Sequence, residues 1–266
     1  MVIPVRNGMP HLEETLNSVR NQTLLADEVV VVENGSSDGT LEFLNRQPDI
    51  KIVVQPQPVS ATANYSSAIG LATGDFIKML FADDLLVSTS LERQVRALTT
   101  NSSCVIAAGQ RDIIGPDSST IIRSIGLAGM RGVVNGKFAL RRALTLGTNP
   151  FGEPSAILFH RSTLQSLLPL SEDTGYATDL AIYIRVLQFG DAYMDNEVVA
   201  KFRITNQAWS FSARESQADS VSQAFRHALE HGLIDASKTR FNIGLVLARA
   251  RQFLRHLVYR RLSLNS

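Results

Sequence analysis

The sequence has one cysteine, almost no net charge and no long apolar run, and each shortage excludes a class of protein. Cys104 has no partner for an internal disulfide or a cysteine-based metal site, and its apolar neighbours predict a buried thiol. Lysine and arginine total 26 against 25 aspartates and glutamates, so no overall basic field favours nucleic acid. The longest apolar stretches hold about five or six residues, whereas ~20 are needed to span a bilayer.

Two nucleotide-binding motifs are also missing. No Gly-x-Gly-x-x-Gly follows the first predicted strand, where Arg6-Asn7-Gly8 stands instead, and no Gly-x-x-x-x-Gly-Lys-Ser/Thr occurs anywhere. Dinucleotide binding and P-loop hydrolysis therefore lose their main sequence support. No basic segment with an apolar stretch behind it follows Met1, so we expect a cytoplasmic protein.

The first hundred residues alternate predicted strands with predicted helices, which is typical of a parallel sheet with crossover helices. Val29–Val32 is an unbroken β-branched run, typical of a strand that is covered on both faces. The other strands predicted here are Val2–Val5, Ile52–Val54 and Phe76–Leu80, and helices are predicted after Pro10, after Asp38, at Asn64–Ala72 and at Ser88–Thr99. We therefore predict an α/β fold with a mainly parallel sheet flanked by helices.

The remaining residues give a weaker pattern. Strands are predicted at Cys104–Ala108, Thr120–Arg123 and Ser155–Phe159, a helix at Asp179–Leu187, and a mobile glycine-rich loop over Gly126–Gly136. Beyond about Asn206 the pattern is helical only. We expect one domain over residues 1–205, in two halves (1–100 and 101–205), and a helical extension over residues 206–266.

Acidic side chains stand at the ends of the predicted strands, where an open α/β sheet binds its ligands. Glu33 ends the second strand, Asp38 lies five residues further on, and Asp83 and Asp84 follow the strand that ends near Leu80. Carboxylates in such places accept hydrogen bonds from a base or a ribose, or bind a divalent cation. The competing interpretation is that Asp38 and Asp84 cap the helices that follow them.

Four sequence blocks resemble those of family 2 glycosyltransferases in residue type, order and spacing. They are VIPVRNG at 2–8, VVVENGSSDGT at 30–40, Ala63-Asn64, and Gly74 to Ile77 running into Ala82-Asp83-Asp84. The resemblance covers about residues 1–204. It implies a GT-A fold with a nucleotide-sugar half (1–100) and an acceptor half (101–205). It also implies an inverting transferase that uses a nucleotide-diphosphate sugar and usually Mg²⁺ or Mn²⁺.

The resemblance assigns donor-side roles to individual residues. The positions that match its nucleotide-sugar-binding residues are Pro4, Asn7, Glu33, Asp38, Asn64 and Asp83. Asp83 matches the last acid of the family's Asp-x-Asp motif, which contacts the metal, whereas Phe81 stands where the first acid is expected. One carboxylate with phosphate oxygens and water still suffices for Mg²⁺. Asp84 is a second candidate ligand, if it is not a helix cap.

The resemblance extends to the acceptor side. Asn149, Glu153 and Pro154 lie in a segment that resembles the family's acceptor-binding loop, and Gly175–Leu180 resembles the helix start that supplies the base. Asp179 is then the catalytic base, which is needed because an acceptor hydroxyl is a poor nucleophile until it loses its proton. Thr178 replaces the glutamate that the family places beside it. The competing interpretation makes Asp179 an ordinary acid in a helix's first turn.

Later residues carry further candidates. Arg203 resembles a basic position that faces the diphosphate, Thr205 stands where the family often has histidine, and Trp209 and Phe211 are candidates for stacking on a sugar ring. Residues 238–261 contain seven lysines or arginines among apolar residues and no acid. A basic amphipathic helix is typical of a membrane-surface element. A helix packed on the domain with its arginines in solvent is the alternative.

The functional expectation is transfer of a sugar from a nucleotide-diphosphate donor to a glycan or lipid-linked acceptor, in cell-surface polysaccharide synthesis. The expected partners include the inner membrane face, contacted through residues 238–261, and exclude nucleic acid. The alternative, from another class, is a non-catalytic protein that binds sugar nucleotides or glycans on the same fold. Phe81 and Thr178 favour this alternative, and the retained Asp83 and Asp179 count against it.

Overall fold

The computed structural model describes residues 1–172, 177–204 and 217–263, with side chains up to residue 253. Its strands are β1 (Val2–Val5), β2 (Val30–Glu33), β3 (Lys51–Val54), β4 (Phe76–Lys78), β5 (Leu85–Leu86), β6 (Cys104–Ile114), β7 (Thr120–Ile125), β8 (Gly132–Val134), β9 (Ile157–His160) and β10 (Asp191–Arg203). Its helices are α1 (Leu12–Arg20), α2 (Thr40–Leu44), α3 (Ala61–Gly70), α4 (Ser90–Thr100), α5 (Gly136–Leu146), α6 (Arg161–Gln165), α7 (Thr178–Val186), α8 (Gln217–Glu230) and α9 (Lys238–Ser263). The predicted α/β class is confirmed.

The first three strands form a parallel sheet covered on both faces. Every residue of β1 and β2 is buried. Val30 and Val32 pack in one core with Ile69 of α3, while Val31 packs in a second core with Leu16 of α1. Each valine buried in this way stabilises the fold by about 1.5–3 kcal/mol. The unbroken apolar run therefore indicated both the strand and its two helical layers correctly.

The order of the strands creates a crevice beside β1. A parallel bridge between Val2 and Met79 places the end of β4 next to β1, on the side opposite β2. After β1 the chain forms β2 and β3 on one side of β1, and β4 then lies on its other side. In open α/β sheets, ligands bind at the carboxyl ends of the strands where the order reverses in this way. The loops over residues 6–11 and 79–84 meet at this point.

The second part of the sheet is mixed. Its order is β4-β9-β6-β10-β5, with β7 paired to β6 and β8 paired to β10. β6 and β10 are parallel, whereas β9 is antiparallel to both β4 and β6. The mobile loop predicted over Gly126–Gly136 is wrong, because a 3₁₀ turn (Leu127–Gly129) and β8 lie within it and α5 begins at its last residue.

The C-terminal helices pack against the rest of the protein. α9 crosses the end of α5 at Gly244 and Gly147, and neither glycine leaves space for a Cβ atom. Arg251 donates to the Leu146 carbonyl oxygen. One face of α9 thus packs on the protein over residues 238–253, and the membrane contact predicted for residues 238–261 stays a prediction for its other face. The predicted boundary at residue 205 lies outside the described residues. None of the helices in the described part of the chain combines the length and the apolar character needed to cross a membrane.

Candidate functional site

A cavity of about 750 Å³ opens at the carboxyl ends of β1 and β4. This size is typical of small-molecule sites, which are roughly 300–1,000 Å³. Its walls come from the loops after β1 and β4, from α3, β6 and the loop after α5, and from the starts of α7 and α8. Seven of the predicted site residues line it together: Pro4, Asn7, Asn64, Asp83, Asn149, Glu153 and Asp179.

Hydrogen bonds join the loop after β1 to the loop after β2. Asn7 has a left-handed backbone conformation (φ 54°), and its N–H donates to Ser36 Oγ at 2.8 Å. Asp38 accepts hydrogen bonds from the N–H groups of Met9 at 2.9 Å and Thr40 at 3.1 Å. Asp38 therefore closes the turn before α2 and holds the loop that carries Asn7. The interpretation of Asp38 as the helix cap is wrong, because Gly39 is the N-cap of α2.

Glu33 is directed into its own loop. Its buried carboxylate accepts two backbone N–H groups of that loop, at 3.1 and 2.5 Å. Neither Glu33 nor Asp38 is among the described residues that line the cavity, whereas the neighbouring Asn34 is. The Asn34 side chain donates to the Val59 carbonyl oxygen at 3.0 Å and accepts from the Val59 N–H at 2.8 Å. The nucleoside-binding roles of Glu33 and Asp38 thus stay predictions.

An aromatic pair occupies the wall beside Asp83. The rings of Tyr65, from α3, and Phe81 have centroids 5.3 Å apart, and both line the cavity. Burial raises the pKa of Tyr65, so its phenol stays protonated at neutral pH. Asn64, next to Tyr65, is anchored by a hydrogen bond from its Nδ2 to the Val32 carbonyl oxygen at 3.3 Å. Where the family resemblance expects a first acid, the protein therefore has a ring surface.

The adjacent acids Asp83 and Asp84 have different environments. Asp83 is half-buried and lines the cavity, and its desolvation raises its pKa although the charge of Arg203 opposes this. Asp84 is fully buried, and it accepts hydrogen bonds from Ser155 Oγ at 2.6 Å and from the Arg203 N–H at 3.0 Å. The prediction that Asp84 caps the next helix is wrong, because Thr89 is the N-cap of α4.

Arg203 is fully buried and supports the backbone at Asp83. Its Nε donates to the Asp83 carbonyl oxygen at 2.8 Å, and its Nη1 donates to the carbonyls of Gly115 and Pro116, both at 3.1 Å. Its Nη2 donates to the Glu14 carboxylate at 2.7 Å. A buried cation needs such acceptors to offset its desolvation. The expectation that Arg203 faces a diphosphate is therefore wrong, because protein acceptors occupy its guanidinium.

The loop after α5 is shaped by its own hydrogen bonds. Asn149 Nδ2 donates to the Gly152 carbonyl oxygen at 2.9 Å, and its Oδ1 accepts the N–H two residues further on at 3.0 Å. Pro154 is buried at the start of a 3₁₀ turn and is not among the described lining residues. Glu153 lines the cavity and forms an ion pair with Arg111 of β6. Glu153 is thus the predicted acceptor-loop residue that brings charge to the cavity.

Asp179 lies in the first turn of α7 and lines the cavity. Burial, with a smaller contribution from the Glu153 carboxylate, raises the pKa of Asp179 to about 8. A first-turn acid that serves the helix dipole is stabilised in its charged form, which lowers its pKa. The opposite shift shows that burial outweighs the helix dipole at Asp179, and its role as catalytic base stays a prediction. A carboxyl group with a pKa near neutral pH, in a cleft, is suited to general base chemistry.

The divalent cation that the family resemblance implies can be compared with the available ligands. Among the described residues, no group of three or more His, Cys, Asp or Glu side chains could hold a metal. Asp83 alone offers a predicted carboxylate ligand at the cavity. Mg²⁺ is commonly held by one or two carboxylates together with substrate phosphates. The residues therefore fit a cation shared with a bound diphosphate, not one held by the protein alone.

Several lining residues had no sequence signal. They are Arg6, His11, Tyr65 and Arg111, with Gln217, Ala218 and Val221 from α8 and Ala248 from α9. The C-terminal helices were predicted as an extension, and their sequence does not show that they return to the cavity. The candidates Thr205, Trp209 and Phe211 lie outside the described residues, as do Gly175 and Tyr176 of the predicted helix start.

The family model described as glycosyl transferase family 2 matches residues 1–168. The chain is 28% identical over 123 residues to a chondroitin synthase of Pasteurella multocida, a match that covers 45% of this chain and 13% of that protein. It is 28% identical over 106 residues to the Escherichia coli UDP-Glc:alpha-D-GlcNAc-diphosphoundecaprenol beta-1,3-glucosyltransferase WfgD, covering 38% of this chain and 41% of that protein. The chain spans less than half the length of these relatives.

Two solved structures share the fold. TarS 1-349 of S. aureus in complex with UDP-GlcNAc has a TM-score of 0.67 at 15% identity, covering 94% of this chain and 71% of that chain. The mannosyltransferase PcManGT from Pyrobaculum calidifontis, in complex with GDP-Man and Mn²⁺, has a TM-score of 0.63 at 20% identity, covering 95% of this chain and 68% of that chain. These similarities confirm the predicted GT-A fold.

Proposed function

The chain belongs to glycosyl transferase family 2, and we propose that it is an inverting transferase acting in cell-surface polysaccharide synthesis. It moves one sugar from a nucleotide-diphosphate donor to a hydroxyl of a glycan or lipid-linked acceptor. The observation that carries this proposal is one cavity lined by both Asp83, after β4, and Asp179, at the start of α7. The name of the relative WfgD, which specifies a UDP-sugar donor and a diphosphoundecaprenol acceptor, supports the substrate class.

The donor binds at the crevice beside β1. Asn7, Asn34 and Asn64 line this end of the cavity, and the rings of Tyr65 and Phe81 offer a surface on which a base or sugar stacks. Asp83 would hold a divalent cation, which when bound neutralises the charge that develops on the departing diphosphate. The buried Arg203 fixes the backbone of Asp83 and so keeps its carboxylate at the cavity.

The acceptor enters beside Asp179. The Asp179 carboxylate takes the proton of the acceptor hydroxyl while the hydroxyl oxygen attacks the anomeric carbon. The bond from that carbon to the diphosphate breaks in the same displacement, and the configuration inverts. General base catalysis of this kind contributes about 10²–10⁴-fold. A pKa raised to about 8 makes the ionised carboxylate a stronger base than an exposed aspartate.

The alternative function is binding of a sugar nucleotide without transfer. The observation that favours it is the ring of Phe81, which occupies the place of one acid in the family motif. Binding and transfer are separated by measuring both on the same protein.

A screen of nucleotide-diphosphate sugars tests the proposal in two steps. The melting temperature with Mn²⁺ identifies the donor, because a ligand that binds the folded state stabilises it. Release of nucleoside diphosphate from that donor, with an acceptor glycan present, then measures turnover. We expect both stabilisation and release. Stabilisation without release in the parent protein favours the binding alternative, and no stabilisation by any sugar nucleotide contradicts both functions.

The outer face of α9 supports a membrane contact near the acceptor end. Val246 and Phe253 are 67% and 66% exposed, and Ile243 is also exposed. These positions share one helix face, whereas Gly244 and Ala248 are buried on the other face, which packs on the protein. Together with the exposed Lys238, Arg240 and Arg249, this face fits the anionic inner surface of a membrane. We propose that it holds the enzyme beside a lipid-linked acceptor.

Substitutions on this face test the membrane proposal without disturbing the packed side of α9. The parent protein should bind vesicles of phosphatidylglycerol and phosphatidylcholine at low salt and leave them as salt increases. The double variant Val246→Glu, Phe253→Glu should bind at least about tenfold more weakly, since each apolar side chain contributes about 1.5–3 kcal/mol when buried. Phe189→Glu, at an exposed phenylalanine outside α9, is the matched control. If the parent protein does not bind these vesicles at low salt, the proposal is overturned.

A further inference from the structure

Arg111 is a nearly buried cation at the acceptor end of the cavity. It belongs to β6, and 11% of its side chain is exposed. Its Nε contacts a carboxylate oxygen of Glu153, and its Nη2 lies 3.4 Å from the other oxygen. Both residues line the same cavity as Asp179. Arg111 and Glu153 thus form an ion pair that is largely shielded from solvent, where opposite charges are screened less than at the surface.

Two glycines make room for the Arg111 guanidinium. Gly126 and Gly152 have φ values of +123° and +98°, which side-chain-bearing residues rarely adopt. A Cβ atom on Gly126 would lie 2.9 Å from Arg111 Nη1, and one on Gly152 would lie 3.1 Å from the same atom. The two glycines therefore leave free the space that the Arg111 guanidinium occupies.

The Glu153 loop is connected to the helix that carries Asp179. Tyr183, one turn after Asp179 in α7, donates its hydroxyl to the Gly152 carbonyl oxygen at 3.1 Å. The Glu153 carboxylate contributes to the raised pKa of Asp179, because a nearby like charge disfavours ionisation. Glu153 and Asp179 therefore face one cavity from two connected segments, and the charge of Glu153 disfavours ionisation of Asp179.

Among the described residues, two phenols also interact with Asp179. Tyr65 from α3 and Tyr183 from α7 both have raised pKa values, mainly through burial, so both are neutral at physiological pH. Glu153 from the loop after α5 is the charged neighbour of Asp179, and Arg111 from β6 is its ion-pair partner in the described part of the chain.

We propose that Arg111 is a positioning residue for the base: by pairing with Glu153, it neutralises that carboxylate and allows Asp179 to be ionised when the acceptor hydroxyl must lose its proton. The proposal rests on the proposed role of Asp179. Without the guanidinium, the Glu153 charge acts on Asp179 uncompensated. Asp179 then holds its proton to higher pH, and the fraction of enzyme with a competent base falls at neutral pH.

The test is the pH dependence of kcat/KM for the acceptor at saturating donor. In Arg111→Met the acidic limb should move to higher pH by about one unit or more. Activity should therefore fall about tenfold below the limb and much less on the plateau. Arg111→Lys should keep the limb near that of the parent, because it retains the charge. Glu153→Gln should move the limb to lower pH, and the double variant Arg111→Met, Glu153→Gln should return it close to the parent position.

Three outcomes overturn the proposal or separate it from its premise. An equal loss at every pH in Arg111→Met, shared by Arg111→Lys, makes Arg111 a purely structural residue. If Arg111→Met does not fold, Glu153→Gln decides alone, and an unmoved limb in that variant overturns the proposal. Full turnover in Asp179→Asn contradicts the proposed base itself, whatever the Arg111 variants show.

Discussion

Replacement of Asp179 by asparagine is expected to lower turnover by about 10²-fold or more while donor binding survives. Asparagine keeps the shape of the side chain but cannot take the proton of the acceptor hydroxyl. The measurement is release of nucleoside diphosphate with acceptor present, beside the donor-induced rise in melting temperature. Asp219→Asn is the matched control, because Asp219 is an exposed acid in the first turn of α8. Turnover within a few-fold of the parent would show that Asp179 has only a structural role in the first turn of α7.

The raised pKa of Asp179 fixes the direction of two pH effects. The base acts only when ionised, so the parent rate should rise about tenfold per pH unit below a limb near pH 8, and Asp179→Asn should lack this limb. The folded-state pKa also lies above the usual aspartate value of 3.8. The folded state therefore keeps a proton that the unfolded state releases, and this contribution to stability is lost as pH rises from about 4 to about 8. Asp179→Asn should consequently melt no lower than the parent at pH 8.

Asp83→Asn is expected to lower activity by about 10²-fold or more, because the charge on the departing diphosphate loses its main compensation. The variant should also need more Mn²⁺ for half-maximal activity, which a titration of turnover against Mn²⁺ measures. EDTA should abolish turnover of the parent. Activity that is unaffected both by EDTA and by Asp83→Asn would contradict the metal role.

Asp84→Asn provides the contrast to Asp83→Asn. Its carboxylate accepts hydrogen bonds from Ser155 and Arg203 in the interior, so the loss should appear mainly as a lower melting temperature. Disturbing one such buried hydrogen bond costs about 1–3 kcal/mol. The Mn²⁺ requirement of the folded fraction should stay close to that of the parent, and an increase as large as that of Asp83→Asn would place Asp84 at the metal instead.

The sequence determined the features that depend on local pattern. Val29–Val32 indicated a strand buried on both faces, and the structure has β2 there, covered by α1 and α3. Glu33 ends β2 and Asp83 follows β4, so the alternation of strands and helices predicted their places at the carboxyl edge of the sheet. The four sequence blocks also identified the family, because residue types, their order and their spacing can be read directly from the sequence.

The sequence analysis did not predict β10, although this strand has 13 residues. Its pairing with β6 contains register shifts, among them one between Asp195 and Val198, which interrupt the alternation of buried and exposed side chains. Period-two patterning is the main sequence signal of a half-buried strand. A strand with such register shifts can therefore be recognised only from its pairing with the neighbouring strand in the folded protein.

Tertiary structure alone decided which charged groups reach the cavity. Asp83 and Asp84 are neighbours in sequence, yet Asp84 is held in the interior by Ser155 and Arg203, which are far along the chain. The guanidinium of Arg203 donates its hydrogen bonds to buried acceptors and so does not reach the cavity. Arg111 pairs with Glu153 because glycines leave space for its guanidinium. Burial and pairing of a charge depend on contacts between distant segments, because desolvation must be offset by whatever partners the fold supplies there. No local pattern encodes those partners.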